Sequence, residues 1–441
     1  MRRIFYIIFV LLFPTVAFAT DYPVTCSGTI TSALQSAINS SADGDIVNIL
    51  SGSCSTAQVS WSNKNITIQG QGQSNTELTF LSTTSISVVA ETKAEFRITA
   101  MEIKLGSSNN SGGIYIDNDT ATPISGWRID NITFTTTANC SSGAHRPITV
   151  KGVVWGVIDS CTFNMTHVTA GITIDGWNNA GDVAGNVGKT SWESVAVGLG
   201  TNSAIYIEDS IFNMSDAGDS WITDSNYGGR IVVRYNTING ASVAGHWAET
   251  NGKRGPVKWE IYENTINISS RALWILGGTG VIFNNTFTGS NNTIEIGDRR
   301  SCYEECDGND STHDGNVSDS GWPCMDQIGR GGGAYTSQPN LPYYLWNNDG
   351  ATASFLSGCG DGGTLQASHI KSTAHANGEV DYCEHSTTMP SSCGTHTNTY
   401  TPDTYPHPLR DEAVAVPANA IQGLTIGYQH EDRRLEMYRR P

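Results

Sequence analysis

The chain has 441 residues, a formal net charge of −17, and only 15% charged residues beside 47 glycines. So acidic a molecule repels nucleic acid and anionic membrane surfaces, which excludes both as partners, and a polyanionic ligand would need a local basic patch or a bridging cation. Sparse charge with abundant Gly, Asn, Ser and Thr disfavours long helices and favours many short strands joined by turns.

Residues 1–19 read as a secretory signal. Arg2 and Arg3 precede an apolar run from Ile4 to Phe13, and Ala17-Phe18-Ala19 offers the small residues of a cleavage site. The run is too short for a membrane span, and no later stretch approaches about 18 uninterrupted apolar residues. Export is therefore expected, extracellular or periplasmic, with the net charge moving from −17 to −19 as Arg2 and Arg3 leave. Ten cysteines, an even number in an oxidising compartment, imply disulfides. Cys302 and Cys306 have a spacing that also suits a metal, though the compartment favours a bridge.

Just after the signal, Ile30, Ala33, Leu34, Ala37 and Ile38 recur at helical spacing. A short amphipathic helix there would cap the open end of a repeat array, with Cys26 and Cys54 placed to staple it to the first coil. Asn65-Ile66-Thr67-Ile68-Gln69-Gly70-Gln71-Gly72 then reads as a strand leaving through a glycine turn.

From Ile129 onward a repeat emerges. Ile129-Asp130-Asn131-Ile132-Thr133-Phe134 returns as the segments ending at Phe163, Phe212, Ile238, Ile266 and Phe287, at intervals of 29, 49, 26, 28 and 21 residues. Five residues before each anchor stands Ile129, Ile158, Ile207, Val233, Ile261 or Ile282, so both columns are expected to face one interior. Two residues before three of the anchors, Asn236, Asn264 and Asn285 align and would form a hydrogen-bonded ladder. A period of roughly 20 to 30 residues with short strands and no helical rhythm is the signature of a solenoid. The expected fold is all-β: a right-handed parallel β-helix over 20–297. An irregular, disulfide-rich region over 298–410 would pack on the coil or close it, and 411–441 would form a partly disordered tail.

The helix cap, the strand ending Gln69-Gly70-Gln71-Gly72 and the repeated Asn-Thr-Phe and Asn-Thr-Ile turns resemble the pectate-lyase-like superfamily of right-handed parallel β-helix proteins. The resemblance covers about residues 29 to 297. Gly321-Trp322-Pro323-Cys324 through Arg330, Tyr343-Tyr344-Leu345-Trp346-Asn347-Asn348 and Tyr405-Pro406-His407-Pro408-Leu409 look like segments of uncharacterised bacterial β-helix proteins. The superfamily holds polysaccharide lyases and hydrolases, epimerases, adhesins and tailspikes, so fold alone selects none of them. It implies an elongated groove suited to a linear polysaccharide.

Two constellations carry candidate chemistry. Asp130, Asp159 and Glu208 head one outward column, about 4.8 Å apart if adjacent rungs stack. They would form either a calcium site, with oxygen ligands suited to a hard cation, or a solvated acidic strip partly neutralised by Arg234. Twelve residues past the anchors, Asp175 and Asp224 align, with His246, Glu249, Lys253 and Arg254 on the next rung. Unequal carboxylates beside a histidine suit inverting hydrolysis, whereas a lyase needs a base and cations for the enolate; Arg254, Lys253, Arg234 and Arg271 are candidates for the latter. Asp175, Asp224 and Gly245-His246 resemble in order the acidic and Gly-His elements of polygalacturonase-type hydrolases. Ser225 follows Asp224 where that family has a second Asp, Trp247 follows His246 where it has Gly, and its Arg-Ile-Lys is missing. Trp177 and Trp247 flank the cluster as sugar-stacking candidates, while Trp259 is expected in the core. The functional expectation is an exported lyase or glycoside hydrolase acting on a linear acidic glycan. The alternative is a secreted glycan-binding or adhesin β-helix without catalysis.

Overall fold

The structure is a computed structural model that describes residues 19–82, 84–106, 112–136, 146–166, 170–177, 182, 186–214, 220–246, 253–269, 271–289, 293–297, 326–334, 337–355, 370–375 and 378–410, together with strands Leu424–Gly427 and Glu436–Arg439. Residues 1–18 of the expected signal, Trp247, Glu249 and cysteines 140, 302, 306, 324 and 359 lie outside the described residues.

The strands coil into a parallel β-helix with three faces. The first two faces share one 20-stranded sheet, because the long strands Arg97–Leu105 and Ile124–Thr136 run through both; the third is a 10-stranded sheet. On the first face Ile98, Ile129, Ile158, Ile207, Val233, Ile261 and Ile282 pair in register from rung to rung. On the second, Phe134, Phe163, Phe212, Ile238, Ile266 and Phe287 do the same. Both columns are buried, as the repeat requires. The rings of Phe134, Phe163 and Phe212 stack at 4.8 and 4.5 Å. Each such side chain removed from water stabilises the coil by roughly 1.5–3 kcal/mol.

The corner between these faces explains the polar pair in the repeat. One residue per rung takes a left-handed backbone: Asn131, Ser160, Asp209, Tyr235, Glu263, Asn284 and Asn347, with φ between 49° and 57°. That conformation costs a non-glycine residue roughly 1–2 kcal/mol. The next residue turns inward and offsets it. Asn236 donates through Nδ2 to Asn264 Oδ1 at 3.0 Å, Asn264 to Asn285 Oδ1 at 2.9 Å, and Asn285 to Asn348 Oδ1 at 3.0 Å. Each ladder amide also donates to backbone carbonyls near the turn, so the three-asparagine ladder expected from sequence exists and extends to Asn348. Buried Cys161, without a disulfide, occupies the same column.

The ends behave as expected at one terminus and differently at the other. Helix Thr31–Ser40 buries Leu34 and Ile38 over the first coil, and Cys26 is bonded to Cys54. Past residue 297, however, the coil does not stop. Tyr343–Trp346 and Tyr382–His385 extend the first face, and Thr352–Phe355 extends the third. Long insertions between these strands hide their period, although Leu345 still pairs with Ile282. Cys383 is bonded to Cys393. Residues 400–410 then lie as a strap across the outer side of the first face, where Tyr400 meets the stacked Phe283 and Trp346 rings edge-on. Strands Leu424–Gly427 and Glu436–Arg439 pair antiparallel within the tail.

Candidate active site

The outer side of the ten-stranded sheet gathers the chemistry. Alternation drives Ile114, Ile116, Ile148, Val150, Ile172 and Ile174 into the coil, leaving Tyr115, Asp117, Thr149, Lys151, Thr173 and Asp175 outward. Register irregularities at Trp221/Thr223 and Arg271/Leu273 interrupt that alternation, and such bulges re-aim side chains. Trp221 accordingly meets His246 at 5.6 Å and Trp274 at 5.3 Å, and Arg271 lies 4.3 Å over the Trp274 ring.

At the centre, buried Asp224 holds His246. Their Oδ1 and Nδ1 atoms are 2.6 Å apart, and the imidazole retains 30% exposure. A carboxylate oxygen at that distance favours the tautomer in which Nδ1–H donates to it and Nε2 bears the lone pair. Asn226 Nδ2 also donates to Asp224 Oδ1 at 3.1 Å, and Arg146 Nη2 stands 3.6 Å from Oδ2. Burial, then the neighbouring Asp224 charge, pushes the Asp175 carboxyl up to about 6. Lys151 reaches Asp119 at 3.2 Å and Asp117 at 3.6 Å while its ammonium sits 4.7 Å over the Trp177 ring. Burial raises the Asp117 carboxyl against the opposing pull of Lys151, and burial with the Asp117 charge raises the Tyr115 phenol. The face thus combines an oriented base, a carboxyl that is half protonated near pH 6, three cations and several aromatic rings.

Asp175, Asp224, His246 and Trp177 therefore meet on one face, with Arg271 further along it. Their register differs from expectation. Thr173, rather than Asp175, pairs with Asp224, and Asp175 pairs with Asn226. The connection entering Trp221–Asn226 is two residues longer than that entering Ala170–Asp175, and an even shift preserves the face. Lys253 lies off this sheet, bridging to Val187 with its ammonium 5.8 Å from the Tyr227 ring. Arg254 is fully buried and grips the Asp326 carboxylate at 2.7 Å, so the catalytic role expected of it gives way to a structural one.

The outward column of Asp130, Asp159 and Glu208 also needs correction. The three do align, but none is solvated and none forms an acidic strip. Arg97 pairs with Asp130 at 2.6 Å, Arg128 with Asp159 at 2.8 Å, and Arg234 with Glu208 at 2.6 Å. Arg410 of the strap adds contacts to Asp159 and Glu208. Their oxygens are committed to guanidinium groups, which leaves no donor set for a cation. Among the described residues no three His, Cys, Asp or Glu side chains gather as a metal-holding group. Trp259 is fully buried, as expected.

Sequence reasoning missed Arg146, Lys151, Tyr115, Asp117 and Asn226. Two of their strands carried a signal: Ile114-Tyr115-Ile116-Asp117 and Ile148-Thr149-Val150-Lys151 alternate with period two.

The fold is thus a parallel β-helix whose ten-stranded sheet carries polar and aromatic side chains on its outer side. No family model and no curated protein matches the chain. Among solved structures it is similar to the PL6 family alginate lyase AlyGC, with 14% identity and a TM-score of 0.39 over 64% of this chain and 38% of that one. An alginate lyase from Paenibacillus sp. strain FPU-7 gives 16% and 0.32 over 61% of this chain and 99% of that one. The PL6 family polysaccharide lyase from Pseudopedobacter saltans gives 11% and 0.38 over 89% of each. No helix among the described residues is long and apolar enough to cross a membrane.

Proposed function

We propose that the protein is an exported enzyme that cleaves a linear, acidic polysaccharide by β-elimination on the outer face of the ten-stranded sheet. The observation that carries this reading is the Asp224–His246 pair at 2.6 Å, set beside Arg146 in an otherwise acidic molecule.

In the proposed step Arg146 receives a uronate carboxylate and acidifies the adjacent ring C–H. His246 Nε2 takes that proton. The released electron pair forms a ring double bond as the neighbouring glycosidic C–O bond breaks, and protonated Asp175 supplies the departing oxygen with its proton. No water is consumed, and one new chain end is unsaturated. Trp177, Trp221 and Trp274 present rings on which apolar sugar faces can stack. If calcium took part, it would supply neutralisation of substrate carboxylates, and Asp130, Asp159 and Glu208 would not hold it.

Purified protein is incubated with plant and algal polyuronates, with and without calcium. Ultraviolet-absorbing unsaturated ends are expected, and His246→Ala should lower their rate about 10²–10⁴-fold. Saturated reducing ends would replace elimination with hydrolysis by the unequal Asp175 and Asp224 carboxyls. Binding of every glycan without turnover would leave a secreted glycan-binding protein.

A further inference from the structure

We infer that the protein carries a second, non-catalytic carbohydrate site: a crevice on the first face, under the strap, that takes a single neutral sugar residue. The crevice encloses about 350 Å³ where the 200–202 loop and residues 403–409 close over the edge of the coil. That size falls at the lower end of ordinary ligand pockets. It lies on a different face from the Asp224–His246 pair and shares no residue with it.

The walls differ in character. Half-buried Trp155 and Leu409 supply apolar surface, while Ser125, Asn202, Asp403 and His407 bring polar groups to the same space. The polar groups of the strap are held in place before any ligand arrives. Asp403 Oδ2 accepts from the Tyr206 hydroxyl at 3.1 Å, its Oδ1 accepts from the Thr404 amide at 2.8 Å, and Arg234 binds its carbonyl at 3.0 Å. The His407 amide donates to Glu208 at 3.0 Å, and its ring Nδ1 accepts from Leu409 N at 3.2 Å. With Nδ1 accepting, the neutral ring carries its proton on Nε2 and is a donor there. Burial keeps the ring on the neutral side by lowering its proton affinity.

This combination selects a ligand class. A wholly apolar ligand would strip water from Asp403 and His407 without replacing its hydrogen bonds. An anion meets the Asp403 carboxylate in a protein of net charge −17. A carboxylate has about four acceptor positions, so Asp403 keeps capacity for a hydroxyl after its two present bonds. A neutral hexose offers an apolar C–H face for Trp155 and hydroxyls for the rest.

The test is titration calorimetry of the full chain with glucose, galactose and mannose, each alone. Saturable binding of at least one is expected, with glucuronate weaker than glucose. Asn202→Trp, which fills the mouth from an exposed loop, should weaken binding at least tenfold, and Trp155→Ala should do likewise. His246→Ala should leave it unchanged, which separates this site from the proposed cleavage reaction. The inference is overturned if none of the three sugars saturates, if binding survives Asn202→Trp, or if His246→Ala abolishes it.

Discussion

Asp224 is buried, carries an imidazole on one oxygen and faces an arginine with the other. Asp224→Asn keeps the shape but no longer favours the Nδ1–H tautomer. It should lower kcat on the cleaved glycan about 10²–10⁴-fold, with KM changed far less. A loss confined to KM would mean that Asp224 only helps hold substrate. Asp175 gives a prediction on stability. Burial and the Asp224 charge hold its carboxyl near 6 in the folded chain, against an ordinary value of 3.8. The native state therefore binds the proton more tightly, and folding stability falls as pH rises from about 4 to about 6. Asp175→Asn removes that penalty, so the variant should match the parent at pH 4 and exceed it at pH 8 by about 1–3 kcal/mol in denaturant melts. Equal stability at both pH values would show that the carboxyl is not perturbed.

At the scale of elements, the asparagine ladder repeats one local solution. Each amide satisfies its own turn and the next rung, so the left-handed corner residues are held from two sides. Asn264→Ala leaves the Asn236 amide and the Val233 carbonyl without these partners inside the coil. It should cost about 3 kcal/mol, read from the urea midpoint at constant slope. Asn264 was legible in the sequence because the same turn recurs every coil. Arg146 was not, since it opens its strand ahead of the alternating Ile148–Lys151 run and matches no repeated motif. The Asp175–Asp224 alignment was displaced by two because connections between faces vary in length, and anchors on one face do not set the register of another.

Across the molecule, the strap converts a stack of like charges into a buried network. Arg234 joins Glu208 to the Asp403 and Thr404 carbonyls and is itself inaccessible to solvent. Arg234→Ala should destabilise the chain by about 3–5 kcal/mol, because Glu208 would stay buried without one of its guanidinium partners. Thermal unfolding indistinguishable from the parent would show that strap and coil are not coupled.

The coil, its two inward columns and the ladder were legible in the residues alone. These come from residues whose neighbours one repeat away solve the same burial problem, so periodicity announces them. What covers the outward columns depends on segments distant in sequence. Asp130, Asp159 and Glu208 share a face with Arg234 as the repeat implies, yet that face is roofed by residues 400–410, which lie far along the chain and carry no trace of the period. On the third face His246 meets Asp224 from the adjoining strand, a contact fixed by the lengths of the connecting loops.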